Sequence, residues 1–94
     1  MPDLYTVICE YDRGTYIAQV HATLPQRAIS SWIDGKNAPQ ALSKEERQVG
    51  ALKNETPVRV RGCQNVWCCT GTGIKGLILI SLVRTVPRSI HKTE

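Results

Sequence analysis

The residues of this sequence that invite a chemical reading are four cysteines, a histidine inside the patterned region, a glycine-rich hexapeptide and a set of arginines. Cys63, Cys68 and Cys69 form C-x4-C-C, whereas structural zinc uses C-x2-C knuckles, and adjacent strand residues point to opposite faces. At most one of the pair can join Cys63. Cys9 lies in an apolar stretch, and free cysteine is among the most buried residue types, so small core residues are expected here. A nucleophilic cysteine would need an activating base, and His21 falls on the polar face of a predicted hairpin as a surface imidazole. Glu10 is the one acid well inside a predicted strand, and Asp12 is explained by a turn, so no carboxylate pair is placed for acid–base work. Gly71-Thr72-Gly73-Ile74-Lys75-Gly76 matches G-x-G-x-x-G letter for letter. The dinucleotide fingerprint needs a helix directly after the glycines, and here an aliphatic strand follows, which makes the segment a glycine-rich hairpin. No catalytic residue, metal ligand or cofactor is expected, and the chain is read as non-enzymatic.

Binding chemistry has more to build on. Residues 1–55 hold six Lys/Arg against seven Asp/Glu, a net of −1; residues 56–94 hold six against Glu94 alone, a net of +5. Arg59, Arg61, Lys75 and Arg84 are candidates for one basic stripe, and Trp67 beside them would suit base stacking or cation–π contact. The competing view is that Trp67 belongs to the core and the arginines guard an edge strand.

These residues are carried by a legible order of elements. Leu4 to Tyr11 and Thr15 to Ala22 are β-branched and aromatic, with turn chemistry at Asp12-Arg13-Gly14, and they predict a hairpin. Pairing Tyr11 with Tyr16 across a four-residue loop also pairs Cys9 with Ala18, Val7 with Val20 and Tyr5 with Ala22, which makes one face wholly apolar. Thr23 and Gln26 read as a capping box for a helix to Asp34, with Leu24, Ala28, Ile29, Trp32 and Ile33 on its buried stripe and Gly35 as its left-handed stop. Ser43 and Glu46 open a weak second helix that offers Val49, Ala51 and Leu52 for burial. Val58 to Arg61 alternates as a strand with its arginines outward, Asn65 to Thr70 is the next strand, and Leu77 to Val86 is the last. That last run is apolar on both faces. It reads as a central strand, covered on both sides or covered on one and pressed against a partner on the other.

The resulting fold class is α+β: an antiparallel sheet of about five strands, order ββααβββ, with two helices on one face. Ninety-four residues, 41% of them hydrophobic, suit one domain over 1–86 with a flexible tail at 87–94. No run approaches the roughly 18 apolar residues of a membrane span, the start lacks the pattern of a signal peptide, and the cysteines do not form a disulfide framework, so a cytoplasmic location is expected.

The segments Gly14 to Val20 (GTYIAQV) and Asn65 to Thr70 (NVWCCT), the latter followed by an aliphatic strand ending Val83-Arg84-Thr85, give a resemblance over about Leu4 to Val86. The chain resembles a small uncharacterised bacterial and cyanobacterial family with an aromatic first strand, a Gly-Thr-Tyr hairpin, a Trp-bearing helix and an Asn-Val-Trp-Cys strand. That resemblance implies a fold and no activity. Over the first third, Gly14, Tyr16, Ile17 and Ala18 are similar to the Gly-Tyr-(Val/Ile)-Ala hairpin arm of HicB-type antitoxins, though the Pro-Asp-Leu-Pro-Gly turn of that family does not occur here.

The function expected from these features is a protein-binding module of inhibitor, immunity or antitoxin-like type, acting through a sheet face or an edge strand toward a protein partner or a second copy. The alternative is a nucleic-acid-binding protein using the basic C-terminal half through Arg59, Arg61, Trp67, Lys75 and Arg84. A small-ligand site between the first helix and the sheet is a third.

Overall fold

The computed structural model describes residues 2–35 and 51–85. Five strands run β1 (Asp3–Tyr11), β2 (Gly14–Ala22), β3 (Val58–Arg59), β4 (Val66–Gly73) and β5 (Gly76–Thr85), with helix α1 (Pro25–Asp34) between β2 and β3. The sheet is antiparallel throughout, in the order β2-β1-β5-β4-β3. The chain is α+β. The last strand occupies the centre, flanked by β1 and β4, as its doubly apolar sequence predicts.

Two residues, not four, close the first hairpin. Asp12 and Arg13 both take positive φ, 49° and 66°, and Tyr11 pairs with Gly14 across them. A primed turn of this kind matches the twist of the flanking strands, and aspartate tolerates its first position. The pairing is therefore Cys9 with Tyr16, Val7 with Ala18 and Tyr5 with Val20, two positions from the expected register. Because side chains alternate with a period of two, the shift preserves the face of every residue. Gly14 is a strand residue rather than a loop residue, and its hydrogen side is filled by the Tyr16 ring: a Cβ there would stand 2.6 Å from the Tyr16 hydroxyl.

Helix α1 also begins differently from expectation. Its N-cap is Leu24, at φ −139° and ψ 153°, with no side-chain cap. Proline at the first helical position holds the preceding residue extended, so the cap falls on Leu24 and Thr23 is left outside. Leu24 is 55% exposed and does not join the buried stripe, whereas Ala28, Ile29 and Trp32 are fully buried. At the other end Gly35 has φ −81° and donates to the Ser31 carbonyl at 2.8 Å, so the helix closes on an ordinary bond and not on a left-handed stop.

Over the described residues the full elements run ββαβββ, and the expected second helix is described at its last turn, before β3. Of the second helical segment, the turn at residues 51–53 is described, and it drives Leu52 into the core at 1% exposure. Leu52 is the one long apolar side chain among Val49, Ala51 and Leu52, which limits what this segment can bury. Residues 43–50 and the tail expected at 87–94 lie outside the described residues. The core is thus one layer between α1 and the sheet, made by Tyr5, Val7, Cys9, Ile78, Ile80 and Leu82 beneath Ile29, Trp32 and Leu52.

Candidate functional site

The opposite side of the sheet has no described element over it. Leu4, Thr6, Ile8 and Glu10 of β1 face that way, as do Thr15, Ile17, Gln19 and His21 of β2 and alternate residues of β5 and β4. The strand registers align a row across all five strands: Ile17, Ile8, Ser81, Cys68 and Val58. Ile17 is 67% exposed, Val58 65% and Leu77 62%, with Leu79 and Val83 half-buried between them. One corner is polar: the Gln19 amide donates to Thr6 Oγ1 at 3.1 Å, and Thr6 shares a 2.7 Å hydroxyl bond with Thr85. No lysine or arginine stands on this face among the described strand residues, and Glu10 is its one carboxylate.

The basic residues are placed elsewhere and do not form one stripe. Trp67 and Arg84 lie on the helix side at one end of the sheet, where the Arg84 guanidinium sits 5.9 Å from the Trp67 ring centroid. Trp67 leans on Tyr5, ring centroids 5.9 Å apart, and is half-buried at the margin of the core. Arg84 bonds Asn65 Oδ1 and lies 3.8 Å from Asp3. Burial raises the Tyr5 hydroxyl pKa, and the Arg84 charge offsets part of that rise. Arg59 pairs with Trp67 in the β3–β4 ladder and is exposed. Arg61 is not on the strand: β3 ends at Arg59, and Arg61 enters a turn that Gly62 completes at φ 81°. Lys75 stands at the far end, at the tip of the β4–β5 hairpin, 3.5 Å from Asp12. Along β5 it is roughly 30 Å from Arg84. Arg59, Trp67 and Arg84 are brought together and Lys75 is not; Arg61 lies in the turn between β3 and Asn65.

The glycine-rich hexapeptide is a hairpin, with Gly73 paired to Gly76 around Ile74-Lys75 and Gly76 at φ 118°. The cysteines divide by face. Cys9 and Cys69 flank Ile80 in one buried row, and burial pushes both thiols up to about 11, which keeps them neutral and poor nucleophiles at neutral pH. Cys68 faces the open side, and Cys63 is exposed in the loop before β4. All four thiols are free. Among the described residues no group of three or more His, Cys, Asp or Glu is arranged to hold a metal ion. The space between α1 and the sheet is filled by Ile29 and Trp32, both fully buried, and the groove nearby is open, running outside the helix past His21, Leu24 and Arg27. That groove, between the end of β2 and the outer side of α1, is where the described residues leave space for a ligand.

Sequence reasoning nominated charge and missed the apolar residues of the open face. Ile17, Val58 and Leu77 were legible in part, since the run Leu77 to Val83 is apolar on both faces where one covered face needs apolarity on one. Among the described residues no helix is long and apolar enough to cross a membrane. Comparison of the chain with protein-family models, with curated proteins and with solved structures finds no match.

Proposed function

We propose that this protein is a non-enzymatic protein-binding module, of the inhibitor, immunity or antitoxin-like kind, that docks through the sheet face opposite α1. One observation carries the proposal: β5 is the central strand, and its outward side chains Leu77, Leu79 and Val83 share a face with Ile8 and Ile17 on one side and Val58 on the other, interspersed with Ser81, Thr70 and Glu10. Covering an exposed leucine or isoleucine is worth about 1.5–3 kcal/mol, so a few such contacts at the centre of a flat face supply the anchor of a specific interface. Large apolar side chains left exposed together on a sheet face suit an interaction site. The absence of lysine and arginine from the described strand residues of this face suits a protein surface and not a phosphate backbone.

The test is native mass spectrometry of the protein purified from its own host at low salt, beside three variants. A stoichiometric protein partner is expected with the unsubstituted chain and with Arg59→Ala. It is expected to be lost with Leu77→Glu and Val58→Glu, which leave the core untouched. Co-purifying nucleic acid released by salt and abolished by Arg59→Ala would overturn the proposal in favour of the basic residues. So would a partner indifferent to both face substitutions.

A further inference from the structure

The two edges of the sheet differ in kind. β3 is two residues long, follows Pro57 and carries Arg59, which together blunt an edge against pairing. β2 is nine residues long, GTYIAQVHA, with no lysine, arginine, aspartate, glutamate or proline. A long neutral edge strand is an open template for another strand, and among the described residues nothing charges, breaks or covers the β2 edge.

The register states which backbone groups are presented. In a hairpin closed by two residues, the flanking pair is hydrogen-bonded, so Gly14, Tyr16, Ala18, Val20 and Ala22 direct their N–H and C=O groups to β1. Those of Thr15, Ile17, Gln19 and His21 point out of the sheet. The same alternation carried across β1 and β5 places the Arg84 N–H toward β4, where it donates to the Asn65 carbonyl at 2.8 Å. The free edge therefore offers four residues at the spacing of a β ladder.

We infer that β2 pairs antiparallel with β2 of a second copy of this chain, about a twofold axis at Ala18. Among antiparallel registers, the one with Ala18 opposite Ala18 sets Thr15 against His21 and Ile17 against Gln19 in both directions, so every outward group finds a partner. A shift of two residues either way leaves Thr15 or His21 without one. Charge permits this pairing: no ionised side chain of β2 meets its own kind, whereas at the opposite edge Arg59 would face like charge. The small Ala18 side chain falls at the axis, where two copies approach most closely. Tyr16, 38% exposed, comes opposite Val20 of the second copy, and Ile17 lies diagonal to its own counterpart on the open face.

This inference deepens the binding-module proposal by naming one partner, and it rests on the edge rather than on the face. An interface built on one strand pair is at the small end of specific contacts, below about 1,200 Å² in total, so a reversible dimer with a dissociation constant of about 1–100 µM is expected.

Sedimentation equilibrium across about 1 µM to 1 mM would measure it. Thr15→Pro and Gln19→Pro each remove an N–H that points away from β1, at positions where an edge strand accepts proline, and each should weaken the dimer at least about tenfold. Leu77→Glu, on the open face two strands in from the edge, should leave it unchanged. Amide exchange of the unsubstituted chain provides a reading that needs no variant: Thr15, Ile17, Gln19 and His21 should gain protection as concentration rises. A monomer over the whole range overturns the inference. A dimer lost with Leu77→Glu while those four amides stay unprotected overturns it too, since that dimer would join face to face. A monomer that captures a protein on its open face refutes self-pairing and leaves the proposed function standing; an edge dimer with no partner on that face does the reverse.

Discussion

The backbone N–H of Lys75 donates to the Tyr11 hydroxyl at 3.0 Å, joining the tip of the last hairpin to the tip of the first. Lys75 also reaches Asp12 at 3.5 Å from the same tip, a partly exposed ion pair that contributes little on its own. The neutral bond matters more, because it fixes the ends of two hairpins that are held together otherwise by the β1–β5 ladder. Tyr11→Phe keeps the buried ring and removes the acceptor, and it should cost about 0.5–1.5 kcal/mol in chemical denaturation. The Lys75 amide should then exchange faster while amides in the middle of β5 keep their protection. An unchanged Lys75 rate would show that the hydroxyl does not hold this end.

Gly14 and Tyr16 should be energetically coupled. A Cβ at Gly14 would meet the Tyr16 hydroxyl and ring carbons at 2.6–2.9 Å, and the ring is partly exposed and free to swing outward. Gly14→Ala is expected to cost up to about 1 kcal/mol by displacing the ring, and to cost nothing in a Tyr16→Ala background. A double-mutant cycle measures this directly. Additive effects would mean that the ring and the glycine are independent.

Gly76 is a different case. Nothing lies within 4 Å of a Cβ built there, yet its φ is 118°. Gly76→Ala should destabilise by about 1–3 kcal/mol through backbone strain alone, with no change in core packing. Thermal unfolding of Gly76→Ala beside Thr72→Ala, an exposed strand position in the same hairpin, separates the backbone effect from loss of side chains.

Stability should fall in alkaline solution. Cys9 and Cys69 keep their protons up to about pH 11 in the folded chain, against an unfolded value near 9.0. Above that lower value the unfolded state sheds protons that the folded state holds, so the thiols' contribution is complete below about pH 9 and is lost as pH rises toward about 11. The raised Tyr5 hydroxyl acts in the same direction. The melting temperature should drop over this range, and less so in Cys9→Ala and Cys69→Ala. At pH 8 an alkylating reagent should modify Cys63 in the folded protein and reach Cys9 and Cys69 on unfolding. Native-state labelling of Cys9 as fast as that of Cys63 would contradict the buried placement.

How far the sequence carried depends on which forces decided each feature. The central place of β5 followed from Leu77 to Val83, because a strand apolar on both faces has no stable position at an edge. The faces of β1 and β2 followed from alternation, and they survived a register error of two. That error came from assigning Gly14 to the turn, when Asp12 and Arg13 take the positive φ values and Gly14 yields its space to Tyr16. The helix start was missed for a related reason: Thr23 and Gln26 have capping chemistry, but Pro25 fixes where the helix begins. The basic stripe failed on geometry that no local pattern contains. Arg84 is engaged by Asp3 and Asn65, and Lys75 by Asp12, all partners distant in sequence. The apolar face was visible in composition but not in extent, since the row from Ile17 to Val58 exists only after five separate segments are aligned.

The contrast between the two sheet edges has a consequence for growth. A surface with sticky ends on both sides can add subunits indefinitely, and fibres form that way. Among the described strands β2 is an uncharged edge and β3 is blunted, so in the proposed dimer strand addition would consume the one open edge that these strands present. Two copies joined in that way would present β3 at either end, among the described strands. Association through β2, as proposed, would then be self-terminating, and a nine-residue uncharged edge would carry no liability of polymerising into cross-β fibrils.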